Sequence, residues 1–348
     1  MHSTSARSAT LNTRLPQVID MQANPISLVA VENDRLGDRS REQADVLASL
    51  EEMVKNLIAA HEQKRELWFP SEVLDFEREQ CSGLRERANT IPDAARISLA
   101  LGLLTEEGLP HFHRLITTHL GEDTFWQEWN NLWTAEEDRH GNVIRDYCRF
   151  TGILNMPSLE RLQFSYLQRG FKRRYSQDPY TLFVYTTFQE RATQIAHART
   201  AEAVEPYDPM LNSILLRIAA DEARHFAFYR RVFAEILNRD PNGALEAMAI
   251  AMQAFDMPGR TIPGFSEMAE VVRRAGIYGP SDYLHIANEQ LRFWAIDSLT
   301  GLDEKGKRRQ HQVLEFPRRI ARFADYLDTR AGRKRFSFAL INNRSLEM

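Results

Sequence analysis

The sequence predicts an all-α protein whose core is a four-helix bundle, with additional flanking helices. Three observations carry this prediction. Apolar residues recur at intervals of three and four over most of the chain, as they do on one face of a helix. Prolines stand at the start of several of these runs, a position that favours helix initiation. No stretch shows the alternation of strands and helices that is typical of a parallel sheet.

The predicted helices follow one another with short breaks. In chain order they cover residues 41–65, 92–107, 123–150, 158–168, 180–202, 208–238, 240–255, 265–275, 281–299 and 303–329. Residues 336–341 are expected to form a short strand or a tail held against the bundle. Residues 1–40 are polar and lack sustained periodicity, so we expect an N-terminal arm there and one domain over 41–348. The Ser, Thr and Arg content of the arm also faintly resembles a transit peptide.

Composition excludes several classes of function. The chain has 348 residues, of which 43% are hydrophobic, and a formal net charge of -4, which argues against nucleic acid as a partner. The two cysteines, Cys81 and Cys148, are far apart and support neither a disulfide framework nor a thiolate metal site. No apolar run approaches the roughly 20 residues needed to cross a bilayer. We therefore expect a cytoplasmic protein without a membrane partner; the plastid stroma is the alternative if the source is a plant.

Two short motifs carry chemistry, because in each a glutamate precedes a histidine by three positions. These are Glu137 with His140 and Glu222 with His225, and the chain contains no other Glu-x-x-His pair. On a helix this spacing places both side chains on one face, one turn apart. One such pair alone would most simply lie on the surface. Both pairs interrupt apolar faces, however, and a carboxylate buried there is costly unless a cation or hydrogen bonds compensate it.

Two further helices each carry a single glutamate on an apolar face. Glu106 closes the helix predicted from residue 92, and Glu190 lies between threonines in the helix predicted over 180–202. A bundle that holds two metals takes one Glu-x-x-His from each of two helices and one glutamate from each of two more. The predicted ligands are Glu106, Glu137, His140, Glu190, Glu222 and His225. Carboxylates with imidazoles suit two iron or manganese ions.

The segments around these residues resemble the soluble acyl-acyl carrier protein desaturases, a ferritin-like di-iron family. The resemblance rests on TEEGLP at 105–110, TAEEDRHG at 134–141, FQERAT at 188–193 and ADEARH at 220–225. It extends to LRERA at 84–88, IPD at 91–93, LTGL at 299–302 and PRRI at 317–320. It thus covers roughly residues 40 to 345.

The resemblance implies a homodimer with a buried di-iron site beside a bent apolar tunnel. The tunnel accepts an acyl chain tethered to acyl carrier protein, ferredoxin supplies two electrons, and dioxygen is used to form a cis double bond. By position, Thr193 resembles the hydroxyl that relays a proton near the metals. Trp68 and Asp221 resemble an electron route from the surface through His140. From the residues alone, Trp68 fits core packing and Asp221 a hydrogen-bond acceptor for a metal-bound histidine.

The chain also departs from the family pattern. His119 and Arg173 fall where the family has residues that close the far end of the tunnel, so they point either to solvent or into a shorter cavity. The basic run Lys172, Arg173 and Arg174 is a candidate contact for the acidic carrier protein; a solvated loop is the alternative.

Other functions remain open at this point. A hydroxylase or monooxygenase on the same scaffold differs only in substrate placement. A ferritin-like iron-storage protein shares the ligand pattern but needs neither the length nor the tunnel. A ribonucleotide reductase radical subunit needs a radical tyrosine near the metals and resembles other motifs. A metal-free scaffold would make the ordered ligands a coincidence.

Overall fold

The computed structural model describes residues 41–74, 81–120, 124–171, 178–254 and 258–348. The chain divides into two units, Met1–Glu42 and Gln43–Met348, and the fold given below is that of the second unit. The predicted arm at residues 1–40 lies outside the described residues. The arm and its boundary with the domain therefore stay predictions.

The N-terminal part of this unit contains four short helices. They are α1 over residues 43–48, α2 at Glu51–Lys64, α3 at Pro70–Val73 and α4 at Cys81–Thr90. The single helix predicted over 41–65 is thus wrong, because a turn at residues 49–50 interrupts it. The Ser49 hydroxyl bonds the Val46 carbonyl there, and such local side-chain bonds compete with helical ones. The helix α4 lacked a predicted counterpart.

Four helices form a closed bundle. They are α5 at Asp93–Glu106, α7 at Phe125–Thr151, α9 at Pro179–Val204 and α10 at Pro209–Arg239. The bundle is closed because α5 packs on α7 and α9, and α10 packs on the same two helices. Side chains of Thr124, Asp178 and Asp208 accept backbone N–H groups at the starts of α7, α9 and α10. Capping and proline placement explain why these boundaries follow the sequence signals closely.

The remaining helices surround the bundle. They are α6 at Leu109–Leu120, α8 at Met156–Arg169, α11 at Pro241–Gln253, α12 at Phe265–Arg274, α13 at Pro280–Phe293 and α14 at Glu304–Thr329. The helix predicted over 281–299 ends early, because Ala295 adopts a left-handed conformation with φ 46°. A 3₁₀ turn at Ile296–Ser298 follows. Among the described helices, none is both long and apolar enough to span a membrane.

The C-terminal stretch forms a small hairpin. Strand β1 (Arg335–Ser337) pairs antiparallel with β2 (Ser345–Glu347), and Phe336 faces Leu346 in the register. Asn342 and Asn343 turn the chain with positive φ, which asparagine tolerates better than most residues. The 3₁₀ segment Ala339–Ile341 between the strands packs on α5 and α8. Both alternatives predicted for residues 336–341 are therefore found, a short strand and a segment held against the bundle.

The apolar core consists of two clusters, one at each end of the bundle. In α7 the first cluster reaches Trp133 and the second begins at Val143. In α10 the order is reversed: the second cluster reaches Ile218 and the first begins at Phe228. The two Glu-x-x-His motifs occupy the gap between the clusters in both helices. We call this gap, with Glu106 and Glu190, the ligand layer.

Candidate metal centre

Each bundle helix contributes to the ligand layer. Glu137 and His140 lie one turn apart in α7, and Glu222 and His225 do so in α10. The other two contributions are Glu106, the last residue of α5, and Glu190, near the middle of α9. All six side chains are buried, and the two imidazole rings lie 6.2 Å apart.

The six side chains fall into two overlapping groups that each suit one metal ion. The first group contains Glu106, Glu137, His140 and Glu222, and we call it the His140 position. The second contains Glu137, Glu190, Glu222 and His225, the His225 position. Within each group one ligand atom per residue lies within 4.8 Å of all the others. Two glutamates belong to both groups, so they are placed to bridge two ions.

Both histidines point Nδ1 into the ligand layer and Nε2 away from it. His140 Nδ1 lies 3.7 Å from Glu137 and from Glu222, and His225 Nδ1 lies 2.8 Å from Glu137. On the outer side, His140 Nε2 meets Asp221 at 3.2 Å and His225 Nε2 meets a carboxylate of Glu136 at 2.8 Å. An outer carboxylate that fixes the tautomer is the usual environment of a metal-binding histidine.

Several inward atoms lack hydrogen-bond partners, which tests whether a metal fits. Among the described residues these include Nδ1 of both histidines, Oε1 of Glu137, Oε2 of Glu222 and both oxygens of Glu190. Glu137 Oε1 and His225 Nδ1 are close but lack hydrogen-bond geometry. Buried polar atoms are rarely left without partners. Lone pairs that converge without bonding each other are what two cations require, so the residues fit a pair of metals.

The electrostatics of the ligand layer favour cations too. Burial raises the pKa of Glu222, and the charges of Glu137 and Glu190 raise it further. Burial likewise raises the pKa of Glu190. Burial acts to lower the pKa of both histidines, but the surrounding carboxylates outweigh it and raise the pKa well above its usual value. Carboxylates that repel one another in this way are relieved when cations bind.

Asp221 connects His140 to Trp68 near the surface. Its Oδ2 accepts from Trp68 Nε1 at 3.0 Å, from Arg139 Nη2 at 3.2 Å and from His140. The Trp68 ring stacks nearly parallel to the His140 ring, with centroids 6.2 Å apart. The pair predicted from sequence, Trp68 and Asp221, is thus brought together with His140. Arg139, which lies over the Trp68 ring, was not predicted.

A second network, missed by sequence reasoning, lies behind His225. Buried Glu136 accepts from His225 Nε2, from His61 Nε2 at 2.9 Å and from Arg65 at 3.3 Å. The available signal was spacing, because Val54, Ile58 and His61 share one face of α2. The sequence alone presents His61 as the end of an apolar stripe. Its partner, Glu136, is distant in the chain, so the spacing gives no sign of the pairing.

Three cavities follow one another from the surface to the ligand layer. The outer cavity, of about 680 Å³, lies between α12, α13 and α14. It shares Phe265, Ala269 and Tyr278 with an inner cavity of about 100 Å³. The inner cavity shares Thr105 and Thr193 with a small third cavity, which is lined by Glu106, Glu137 and Glu222. We call this series the cavity row.

The remaining predicted residues are placed as follows. Thr193 is buried, lines the cavity row and donates its hydroxyl to backbone carbonyls of α9. His119 on α6 is half-buried and lines none of these three cavities. Lys172, Arg173 and Arg174 lie outside the described residues, so their predicted contacts stay predictions.

Comparison with known proteins identifies one family. The sequence model of a family described as fatty acid desaturase matches residues 42–342. The chain is 33% identical to stearoyl-[acyl-carrier-protein] 9-desaturase 4, chloroplastic, of Arabidopsis thaliana, over 89% of this chain and 84% of the relative. It is 34% identical to the chloroplastic stearoyl-[acyl-carrier-protein] 9-desaturase of Ricinus communis, over 83% of this chain and 78% of the relative.

A solved structure shares the fold. It is the X-ray structure of DesA2 from Mycobacterium tuberculosis H37Rv, a protein provisionally assigned as an acyl-ACP desaturase. The TM-score is 0.59 at 20% identity, with 76% of this chain and 99% of that chain covered. At this identity the likeness concerns the ferritin-like helical fold, which confirms the predicted fold class.

Proposed function

We propose, from the premise that the chain belongs to the fatty acid desaturase family, that it desaturates acyl chains carried on acyl carrier protein. Dioxygen is the oxidant, and the product carries a cis double bond. The relatives named above act on stearoyl-[acyl-carrier-protein], and this substrate class is carried over to the chain as part of the proposal.

The cavity row is the single observation that carries this proposal. An acyl chain is long and apolar, and each buried methylene contributes about 0.8 kcal/mol. The outer and inner cavities are lined mainly by apolar side chains, among them Phe265, Ala269 and Val272. A chain that enters at the outer cavity and follows the row brings its carbons beside Glu106 and Glu137. An acyl chain that fills the row would exclude water from the reacting carbons.

Two iron ions are the proposed cofactor, with manganese at one position as the other candidate. Glu106, Glu137, His140, Glu190, Glu222 and His225 are the proposed ligands. When bound, a pair of iron ions supplies the activation of dioxygen that removal of two hydrogens requires. The mixed carboxylate and imidazole donors support iron or manganese over a thiolate metal or calcium.

Thr193 is proposed to hold a proton beside the reacting carbons. Thr193 belongs to the cavity lining that also contains Glu106 and Glu222. The single hydroxyl hydrogen is shared between the backbone carbonyls of Gln189 and Glu190, so the oxygen remains available as an acceptor. A proton that reaches this oxygen would replace the hydroxyl proton, which is passed on, so the threonine is unchanged at the end.

Electrons are proposed to arrive through Trp68 and Asp221, with ferredoxin as the donor. Leu67 and Phe69, on either side of Trp68, are 54% and 46% exposed, and an apolar rim of this kind suits a transient protein contact. A cavity of about 340 Å³ lies over Trp68 and Asp221 and is also lined by Arg217 and Arg224. Glu66, which pairs with Arg217, lines the same cavity, and Arg224 pairs with Asp221, so the apolar rim is the feature that supports the contact.

The other partners and the compartment belong to the same proposal. Carrier protein would dock at the outer cavity, whose lining includes Arg273 and Arg319, and at Lys172 to Arg174. A homodimer follows from the family resemblance and is tested by light scattering of the purified chain. A cytoplasmic location, or the plastid stroma if the source is a plant, is proposed from the composition of the chain, and fractionation of the source cells tests it.

Product analysis tests the function directly. Apo protein is loaded with Fe²⁺, reduced, mixed with saturated acyl-carrier proteins of several lengths and exposed to dioxygen for one turnover. Mass spectrometry should show loss of two mass units from the acyl chain. Addition of sixteen mass units would select the hydroxylase instead. Metal-loaded, reduced protein that leaves every chain unchanged would exclude both.

A further inference from the structure

Each of the two predicted metal-binding histidines has a tryptophan at the same separation. The rings of Trp68 and His140 stack with centroids 6.2 Å apart. The rings of Trp129 and His225 meet edge to face, with centroids 6.2 Å apart as well. Trp68 belongs to the proposed electron route from ferredoxin, whereas Trp129 has no assigned role. Its separation from His225 suits electron exchange equally well.

Trp129 connects the ligand layer to a second stretch of surface. It is buried in α7 and stacks on Phe228 of α10, with ring centroids 3.5 Å apart and ring planes 8° apart. His61 of α2 meets the Trp129 ring edge to face, with centroids 5.2 Å apart. Phe228 and His61 both line a surface cavity of about 100 Å³, which we call the His61 cavity. The path from this cavity through Trp129 to His225 therefore runs over neighbouring rings.

The His61 cavity is lined by cations. Among the described residues, its lining includes Lys64, Arg224 and Arg231 and contains no acidic side chain. Arg224 contacts Asp221, but Lys64 and Arg231 form no ion pair within the described part of the chain. Unpaired cations around a cavity raise the local concentration of anions. Together with the ring of Phe228 they favour one small organic anion in the cavity.

We propose that Trp129 carries electrons from a small anionic reductant of the ascorbate class, bound in the His61 cavity, to the His225 side of the ligand layer. Packing alone accounts for a buried tryptophan, but it does not require a continuous path from a cationic cavity to a predicted metal ligand. This inference rests on the proposed two-metal site and its use of dioxygen.

The proposed route acts when dioxygen has oxidised the metals and no acyl chain is bound. Trp129 then gives one electron to the oxidised metals. An ascorbate monoanion in the His61 cavity returns one electron to Trp129 and releases one proton to water, which leaves the ascorbyl radical anion. Trp129 is unchanged at the end, and the oxidising equivalents are removed before they damage the ligands.

Binding is tested on metal-free protein with ascorbate, by equilibrium dialysis without oxygen. The double variant Lys64→Gln/Arg231→Gln should raise the Kd of ascorbate at least about tenfold, because both unpaired cations of the cavity are removed. The control Lys55→Gln/Arg239→Gln removes one exposed cation from each of the same two helices, outside the cavity. It should leave the Kd unchanged. Equal Kd values for the two double variants would overturn the inference, as would wild-type protein that binds no ascorbate.

The redox step is tested without acyl substrate. Protein loaded with Fe²⁺ and reduced is exposed to dioxygen and digested, and oxidised tryptophans are located by mass spectrometry. Added oxygen should appear at Trp129 and not at Trp126, which is also buried and lies three residues earlier in α7. Ascorbate should prevent this oxidation in the wild type, with the ascorbyl radical detected by electron paramagnetic resonance, but not in Lys64→Gln/Arg231→Gln.

Modification of Trp126 and Trp129 alike would overturn the route, and so would equal protection by ascorbate in both double variants. Trp129→Phe removes the oxidisable ring and should abolish the ascorbyl radical, whereas Trp126→Phe should keep it. If Trp129→Phe does not fold, the wild-type map and the two double variants still decide.

Failure of the proposed function has a different signature. Protein that leaves every acyl chain unchanged, but oxidises Trp129 and is protected by ascorbate, would refute desaturation and keep the route. Protein that forms double bonds without these effects would remain a desaturase and lose only the role of Trp129.

Discussion

Replacing Asp221 by asparagine should destabilise the protein, because one buried carboxylate oxygen serves three donors. Asp221 Oδ2 accepts from Trp68, Arg139 and His140, and Oδ1 contacts Arg224. An amide has one acceptor oxygen, so its NH₂ group must face a cation or another N–H donor. Breaking a buried ion pair from one side costs about 3–5 kcal/mol. At roughly 2 °C per kcal/mol for a long chain, Tm should fall by about 6–10 °C.

The assay is thermal unfolding of the metal-free protein followed by circular dichroism. Asp138→Asn is the control, since Asp138 is exposed on the same helix as Arg139 and bonds only Asn142 among described residues. The control should lie within about 0.5 kcal/mol of wild type. A Tm for Asp221→Asn equal to that of Asp138→Asn would refute the assigned importance of the network.

A double-mutant cycle isolates the bond from Trp68 to Asp221. Trp68→Phe removes the indole N–H, and a hydrogen bond to a charged group contributes about 1.5–3 kcal/mol. The coupling energy between the two substitutions should fall in that range; a value below about 0.5 kcal/mol would contradict it. If the network also carries electrons, Asp221→Asn should slow turnover driven by reduced ferredoxin more than single turnover after dithionite reduction.

Three further predictions concern the ligand layer and the cavity row. Glu137→Gln should lower metal content per chain, measured after gel filtration, while the apo protein stays folded by circular dichroism; an unfolded variant would contradict this. Thr193→Val keeps the volume but loses the hydroxyl, so peroxide release per double bond should rise, and unchanged coupling would make Thr193 a core residue only. Ala269→Trp fills the junction of the outer and inner cavities. The kcat/KM for long acyl chains on carrier protein should therefore fall at least about a hundredfold, some 2.7 kcal/mol, whereas Co²⁺ binding should be kept. Turnover that persists in this variant would place the acyl path elsewhere.

The bundle and the ligand layer could be predicted because their signals are local. A separation of three residues places Glu137 and His140 together whatever the rest of the chain does. Proline and aspartate at the helix starts are local signals too, so the boundaries near Pro179 and Pro209 follow the sequence closely. The ligand role of these residues stays a prediction until a metal is measured.

The contacts of His61 and His197 around the layer could not be predicted, because their partners are distant in the chain. His61 and Glu136 meet only when α2 packs on α7. His197 lies two turns after Glu190 in α9, and nothing local in the sequence assigns Glu106 as its partner. The predicted end of α13 was wrong for a different reason. Alanine at position 295 gives no sign that it will take a left-handed conformation.

The placement of the ligand layer between two apolar clusters has a consequence for biosynthesis. Most of the burial that stabilises the bundle lies in the clusters, whereas the carboxylates of the ligand layer repel one another. The chain should therefore fold without iron, in contrast to small zinc domains whose folding free energy is metal-binding free energy. Cells short of the proposed metal would then accumulate folded, inactive enzyme that can still take up the metal. Supply of the metal would set the amount of activity, and synthesis of new chain would not be needed to recover it.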